Sequence, residues 1–328
     1  MRKKYSVDEY VSGIISGDRT ILSQAITLAE SSLPGHNETI QAIIEKCLPY
    51  SSDSIRIGIT GVPGAGKSTF IESFGIYLTE KGRKVAVLAI DPSSRQTKGS
   101  ILGDKTRMRK LSTHPDAFIR PSPSAGTLGG VAWKTSETII LCEAAGFDTI
   151  VVETVGVGQS ETAVHSMVDF FLLLMLPGAG DELQGIKRGI IEMADAIAIN
   201  KADGMNRNSA EEARALYQNA LLLFPPAPSG WKPKVITCSA LENNGIDDLW
   251  DLIAGYISFT SANGSFSEKR KQQAVIRMRD SINEYLNSSF YSTRPVKNLI
   301  PSIEKQLYEG RVTSYKAAMT LIDKFMKR

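Results

Sequence analysis

Gly61-Val62-Pro63-Gly64-Ala65-Gly66-Lys67-Ser68 follows an apolar run at 55–60 and opens a helix-compatible segment. That is the complete G-x-x-x-x-G-K-[ST] pattern in the strand-loop-helix setting where backbone N–H groups cradle phosphate. A glycine-rich turn alone is only a turn, but eight matched positions behind a strand predict a nucleotide site. The loop glycines permit close backbone approach to an anion, and the helix start adds N–H groups and a positive dipole end. Lys67 is placed to offer a point charge to the outer phosphates and Ser68 an oxygen to Mg²⁺. Val62, Pro63, Ala65 and Thr69 complete the expected phosphate side.

The base is decided much further on, where the apolar strand at 196–199 runs into Asn200-Lys201-Ala202-Asp203. The Asp203 carboxylate only accepts hydrogen bonds, which suits the paired N–H donors on the Watson–Crick edge of guanine that adenine lacks. N-K-x-D by itself also reads as a polar strand end followed by a turn. Behind a phosphate loop, and ahead of Cys238-Ser239-Ala240-Leu241 after another apolar strand, it is the base-recognition pair of a GTPase. Asn200, Lys201, Asp203, Ser239, Ala240 and Leu241 are therefore the expected base-side residues.

The 328 residues, 42% of them apolar, suffice for one large α/β domain with helical additions. The formal charge is +3, but residues 266–328 carry thirteen Lys/Arg against six Asp/Glu, so this tail is +7 and the remainder −4. Its charges alternate with apolar positions and lack interleaved aromatics, which favours a solvated helical face over a nucleic-acid surface. Cys47, Cys142 and Cys238 are far apart with no C-x-x-C spacing and read as buried thiols. No apolar segment follows the basic N-terminus, and the longest apolar stretch, 170–176, is too short for a bilayer. A soluble, cytoplasmic protein is expected, with neither membrane nor nucleic acid as a partner.

Residues 1–50 are expected to form a helical N-terminal extension, since Val7, Tyr10, Val11, Ile14 and Ile15 recur at helical spacing and Pro34-Gly35 divides later segments. Across 51–258, apolar strands at 55–60, 84–90, 148–153, 169–176, 196–199 and 234–237 alternate with helical patterns. The fold class is thus α/β, a P-loop NTPase whose mostly parallel sheet is flanked by helices and whose ligand loops lie at the carboxyl ends of the strands. A looser stretch at 261–265 leads into a helical arm, 259–328. There Val275, Met278, Ile282, Tyr285, Leu286 and Phe290 form an apolar stripe that must be buried against its own domain or a dimer partner.

Strand ends beyond the phosphate loop supply the remaining chemistry. Asp91 closes the strand 84–90 and is placed either to hold Mg²⁺, directly or through water, or to cap the turn before Pro92. The polar run 92–103 is long for a βα connection, as expected of a switch loop that would bring Asp104 toward the metal. Glu153-Thr154-Val155-Gly156 is an acidic-x-x-Gly element, with Glu153 toward Mg²⁺ and its waters and the Gly156 N–H toward the γ-phosphate. Lys67, Asp91, Asp104 and Glu153 are thus the expected catalytic set, and Ser68, Asp91, Asp104 and Glu153 the metal set.

Val157 follows Gly156 and cannot orient a water, so slow unaided hydrolysis is expected. Gln159 could substitute only after loop movement. The glycine-dense segment 177–185 reads as a flexible turn or as a third switch, with Gln184 and Lys187 communicating nucleotide state to a partner. His36, His114 and His165 are isolated in sequence and read as surface or core residues.

With GVPGAGKS, DPSS, GSILGDKTRM, ETVGVGQSE, GAGDELQGIKRG, NKAD and CSAL in this order, the chain resembles the MeaB/ArgK family of GTPases from about residue 20 to 257. The resemblance implies GTP/GDP and Mg²⁺ as cofactors and a homodimer built by the C-terminal arm. It also implies a chaperone for an adenosylcobalamin-dependent acyl-CoA mutase, typically methylmalonyl-CoA mutase, that gates cofactor loading and protects or reactivates the mutase. It assigns Gln184 and Lys187 to a third switch. Two rival functions use the same phosphate loop. A transport-associated ATPase or kinase acting on an amino-acid-binding protein predicts ATP preference, against N-K-x-D. A metal-delivery GTPase needs clustered soft or imidazole ligands, and the Cys and His here are scattered.

Overall fold

The computed structural model describes residues 5–31, 33, 35–51, 54–91, 108–123, 128–154, 160–178 and 188–327, with the side chains at 91, 122, 123, 128–132, 160 and 188 excluded. Seven strands form one parallel sheet: β1 (Ile55–Gly61), β2 (Val85–Asp91), β3 (Ala117–Pro123), β4 (Thr149–Thr154), β5 (Phe170–Met175), β6 (Ala196–Ile199) and β7 (Lys234–Thr237). Their order is β3-β2-β4-β1-β5-β6-β7. Because every pairing is parallel, all strands end on one edge, and β1 ends near its middle. The six strands read from the sequence are all present. The seventh, β3, was missed because Arg120, Pro121 and Pro123 break the apolar run. Proline is tolerated there because β3 is an edge strand that pairs only with β2.

The strands read as unbroken apolar runs because both faces are covered: every residue of β5, Phe-Phe-Leu-Leu-Leu-Met, is buried. Three N-terminal helices, α1 (Val7–Ile15), α2 (Arg19–Glu30) and α3 (His36–Cys47), belong to one cover. Ser6 and Glu9 start α1 with a reciprocal capping box, and Asp18 caps α2 through the N–H groups of Thr20 and Ile21. Their buried faces join Ala86, Leu88 and Ile90 of β2 and Ile150 and Val152 of β4, together with α6 (Leu128–Ala144). On the opposite face Val85, Val87, Ile57 and Ile59 pack with α4 (Lys67–Glu80) and α10 (Ile246–Ala262). The helical prefix therefore covers a sheet face that would otherwise meet water. The remaining helices are α5 (Arg109–Thr113), α7 (Ser160–His165), α8 (Arg188–Met193), α9 (Arg207–Leu221), α11 (Ser265–Ser292), α12 (Arg294–Tyr308) and α13 (Ser314–Met326).

The chain divides into two compact units, Met1–Ile276 and Arg277–Arg328, with the boundary inside α11. Within the smaller unit Val296, Ile303 and Ala317 are buried and Phe290 packs on Phe325 with ring centroids 5.3 Å apart. No helix among the described residues is long and apolar enough to cross a membrane. All three cysteines are buried thiols.

One buried carboxyl joins the helical prefix to α6. Glu137 accepts a hydrogen bond from Gln41 of α3 on Oε1, while its buried Oε2 finds no hydrogen-bond partner among the described residues. Burial pushes Glu137 up from 4.5 to about 7, against the opposing pull of Gln41 and Lys134. The folded state thus keeps a proton that the unfolded chain releases, so the associated stability is complete below pH 4.5 and is lost as pH rises toward 7. Urea unfolding across this window should show the parent protein losing stability relative to Glu137→Gln as pH rises. A stability difference that does not change with pH would contradict it.

Candidate nucleotide site

The phosphate-loop sequence sits where β1 turns into α4, and packing explains its glycines. A Cβ on Gly61 would lie 2.3 Å from the Leu174 carbonyl oxygen of β5, so no larger residue fits. Gly66 caps α4 at φ 81°, ψ 29°, a left-handed conformation, and a Cβ there would come within 3.0 Å of Asn200 Nδ2. Lys67 folds back over the loop and donates from Nζ to the carbonyls of Gly61 (2.9 Å) and Val62 (3.3 Å). Burial lowers the Lys67 pKa, and the nearby carboxylates of Glu153 and Glu161 oppose that shift. An ammonium already stripped of much of its water and satisfied by weak carbonyl acceptors is ready to exchange them for phosphate oxygens.

Ser68 donates from Oγ to Glu153 Oε1 at 3.3 Å, so the hydroxyl at the helix start and the carboxylate at the end of β4 are neighbours. Glu153 is 5% exposed. Hard oxygen donors in this pairing suit Mg²⁺. Behind them Thr154 donates to Thr60 across the buried β1–β4 seam at 2.9 Å, fixing the two strand ends together. Thr69 lies in the first turn of α4. Asp91 ends β2 on the same edge of the sheet. Asp104, Gly156, Gln159, Gln184 and Lys187 lie outside the described residues.

Asn200 joins the two halves of the predicted site. Its Nδ2 donates to the Ala65 carbonyl inside the phosphate loop at 2.8 Å, and its Oδ1 accepts from Ala240 N in the Cys238–Leu241 segment at 3.1 Å. The residue is 2% exposed, so both bonds are shielded from water. Lys201 follows at φ 61°, and its stem lies over Gly66. Asp203 accepts from Ser239 Oγ at 2.6 Å, and that hydroxyl in turn accepts from Glu242 N at 3.1 Å, which orients the carboxylate. Leu241 is exposed, whereas Cys238 is buried with its thiol pushed up to about 12, a structural role.

The structure therefore brings Gly61 to Thr69, Glu153, Asn200, Lys201, Asp203, Ser239 and Ala240 onto one sheet edge. Two contributors escaped the sequence reading. Ser73 donates from α4 to the Ala240 carbonyl at 2.6 Å, tying the phosphate helix to the base-side loop. Glu161, in the first turn of α7, is buried beside the charge of Lys67. An acidic residue in a first helical turn is common enough that only its burial marks it.

Residues 22–294 match the family model described as methylmalonyl Co-A mutase-associated GTPase MeaB. The chain is 48% identical to the Escherichia coli (strain K12) protein named GTPase ArgK over 284 residues, 87% of this chain and 86% of that one. It is 44% identical over 332 residues to the Mus musculus protein named methylmalonic aciduria type A homolog, mitochondrial, covering 98% of this chain and 80% of that one. A crystal structure described as LAO/AO transport system kinase aligns over 100% of both chains, with a TM-score of 0.75 and 36% identity.

Replacing Asn200 by Ala removes both bridging bonds and leaves the Ala65 carbonyl and Ala240 N–H without this partner, a cost of about 1–3 kcal/mol each where burial persists. Isothermal titration with GDP should show affinity reduced by about tenfold or more, with Ser73→Ala moving it less in the same direction. Unchanged GDP affinity in Asn200→Ala would show that the two loops are placed independently.

Proposed function

We propose, from the premise that the chain belongs to the MeaB family of methylmalonyl-CoA mutase-associated GTPases, that it is a chaperone for an adenosylcobalamin-dependent acyl-CoA mutase. As a GTPase it converts GTP to GDP and phosphate. In the proposed cycle the terminal phosphoryl group is bound at Lys67 and its loss gates cofactor loading and protects or reactivates the mutase. The observation that carries the nucleotide half is the Asn200 bridge, which holds a phosphate loop and a base-side loop as one surface.

Gly61 to Thr69 would enclose the phosphates, with Gly156 at the γ-phosphate. Asp203, with Asn200, Lys201, Ser239, Ala240 and Leu241, would read guanine. Ser68 and Glu153 fit Mg²⁺ by donor type and proximity, with Asp91 and Asp104 as further ligands. When bound, that ion neutralises phosphate charge. Among this chain's own groups, Lys67 supplies a desolvated positive charge at the transferring group, and the buried Glu153 supplies an acceptor facing the hydrolytic water.

The mutase reading is supported by the family description and by the name of the mouse relative. Val157, directly after Gly156, carries no group to orient water, which supports a low intrinsic rate and completion of the site by the partner. Gln159, Gln184 and Lys187 are proposed to carry nucleotide state to that partner. A homodimer through the arm is supported by the exposed Met278, Ile282, Tyr285 and Leu286, an apolar set too large to be left in water without cause. The kinase named among the similar structures shares the phosphate loop's fold. An acceptor carboxylate oriented by Ser239 favours guanine over adenine here.

Two measurements test this. Steady-state GTP turnover should rise by about tenfold or more on adding an adenosylcobalamin-dependent acyl-CoA mutase, and an unchanged rate would remove the mutase as activator. Asp203→Asn should cost GDP roughly ten- to hundredfold in affinity and narrow its advantage over ADP. Retention of the full guanine preference would exclude Asp203 as the reader.

A further inference from the structure

The amino ends of β1 and β5, opposite the phosphate-loop edge, meet a second cluster of buried charge. Asp169, just before β5, has a side chain only 1% exposed. Its carboxylate accepts the Arg56 backbone N–H at 2.9 Å and takes the Arg270 guanidinium in a two-point contact, Nε to Oδ1 at 2.8 Å and Nη2 to Oδ2 at 2.7 Å. The same Nη2 donates to the Ser54 carbonyl before β1 at 2.6 Å. Lys269 donates to the Asp169 carbonyl at 2.7 Å, and its Nζ lies 3.6 Å from Asp195 Oδ2. Gln273, buried one turn later, donates to the Val168 carbonyl at 2.8 Å. The first turns of α11 thus hold the backbone and the carboxylate of Val168-Asp169 at once. A bidentate guanidinium–carboxylate pair shielded from water has one good geometry and does not slide.

The gripped dipeptide lies three residues beyond the end of α7. That six-residue helix carries the buried Glu161 in its first turn. At its back, His165 packs edge-on against Phe171 of β5, ring centroids 5.5 Å apart. Burial, and then the Lys269 ammonium, hold that imidazole neutral, pushed down to about 4. Between these ends Val164 of α7 and the gripped Val168 both close over Gly58 of β1, where an added Cβ would lie 2.9 Å from each, so the helix and the clamped dipeptide pack on the strand that runs into the phosphate loop.

We propose that Lys269, Arg270 and Gln273 are positioning residues for nucleotide discrimination, fixing Val168-Asp169 so that the start of α11 shifts with α7 when the terminal phosphate arrives or leaves. This rests on guanine-nucleotide binding at Lys67. Linkage makes the coupling reciprocal: if the nucleotide changes the clamp, the clamp changes the relative affinity for GTP and GDP. A purely structural anchor would alter both affinities together.

The test uses the full-length protein, Arg270→Ala, Arg270→Lys and Gln273→Ala, with fluorescent GDP and a non-hydrolysable fluorescent GTP analogue. Amide exchange of residues 268–276 in the parent protein should differ between the two bound states. Arg270→Ala should erase that difference and move the analogue-to-GDP affinity ratio by about fivefold or more, with Arg270→Lys and Gln273→Ala moving it less in the same direction. Should Arg270→Ala fail to fold, the two milder variants decide by the same ratio. Identical exchange in both states, or an unmoved ratio in variants that bind GDP, overturns the coupling. Absence of saturable GDP binding by the parent protein would instead overturn the site reading beneath it.

Discussion

Asn200 makes two hydrogen bonds in opposite directions, one into the phosphate loop at Ala65 and one into the base-side loop at Ala240, and it is buried while doing so. Those loops follow β1 and β7, which are separated by β5 and β6, so no pairing between adjacent strands sets their distance. A buried amide that satisfies a carbonyl on one side and an N–H on the other leaves little freedom between them. Ser73 adds a second tie to the same Ala240, from the phosphate helix. These contacts set the separation between the two loops.

The sheet supplies the platform. Seven parallel strands place every carboxyl end on one edge, and covering both faces requires the N-terminal helices as much as those inside the α/β repeat. The two edges are built from different materials. The ligand edge has glycines, hydroxyls and one desolvated lysine, whereas the opposite edge is closed by the buried pairs Arg56–Glu143 and Arg270–Asp169. Such pairs are costly to break singly, so the segments they join are held to one another.

What could be read from the sequence was local. The phosphate loop and N-K-x-D are contiguous, and strands such as β5 are unbroken apolar runs, so each announces itself within a few residues. The β3 strand did not, because Arg120 interrupts its apolar run and its prolines are tolerated only where no ladder hydrogen bond is lost, as at a sheet edge, and edge position is a property of the whole sheet. Asn200 was legible as a motif member but not as a bridge, since its partners lie 135 and 40 residues away. The Ser73 contact to Ala240 spans 167 residues and the Arg270 contact to Asp169 spans 101, and neither residue stands in a recognisable pattern. Burial gave Glu161 its significance, and the sequence does not encode burial one residue at a time.

The most direct measurement is an equilibrium titration of the full-length protein with GDP, IDP and ADP in the presence of Mg²⁺. Inosine lacks the exocyclic amine of guanine and keeps its ring N–H, so it removes one of the two donors that the Asp203 carboxylate would accept. Saturable GDP binding, IDP weaker by roughly tenfold or more, and ADP weakest is the expected order. ADP binding as tightly as GDP, or no saturation by any of the three, would contradict a site whose phosphate loop and base-reading edge are locked together through Asn200.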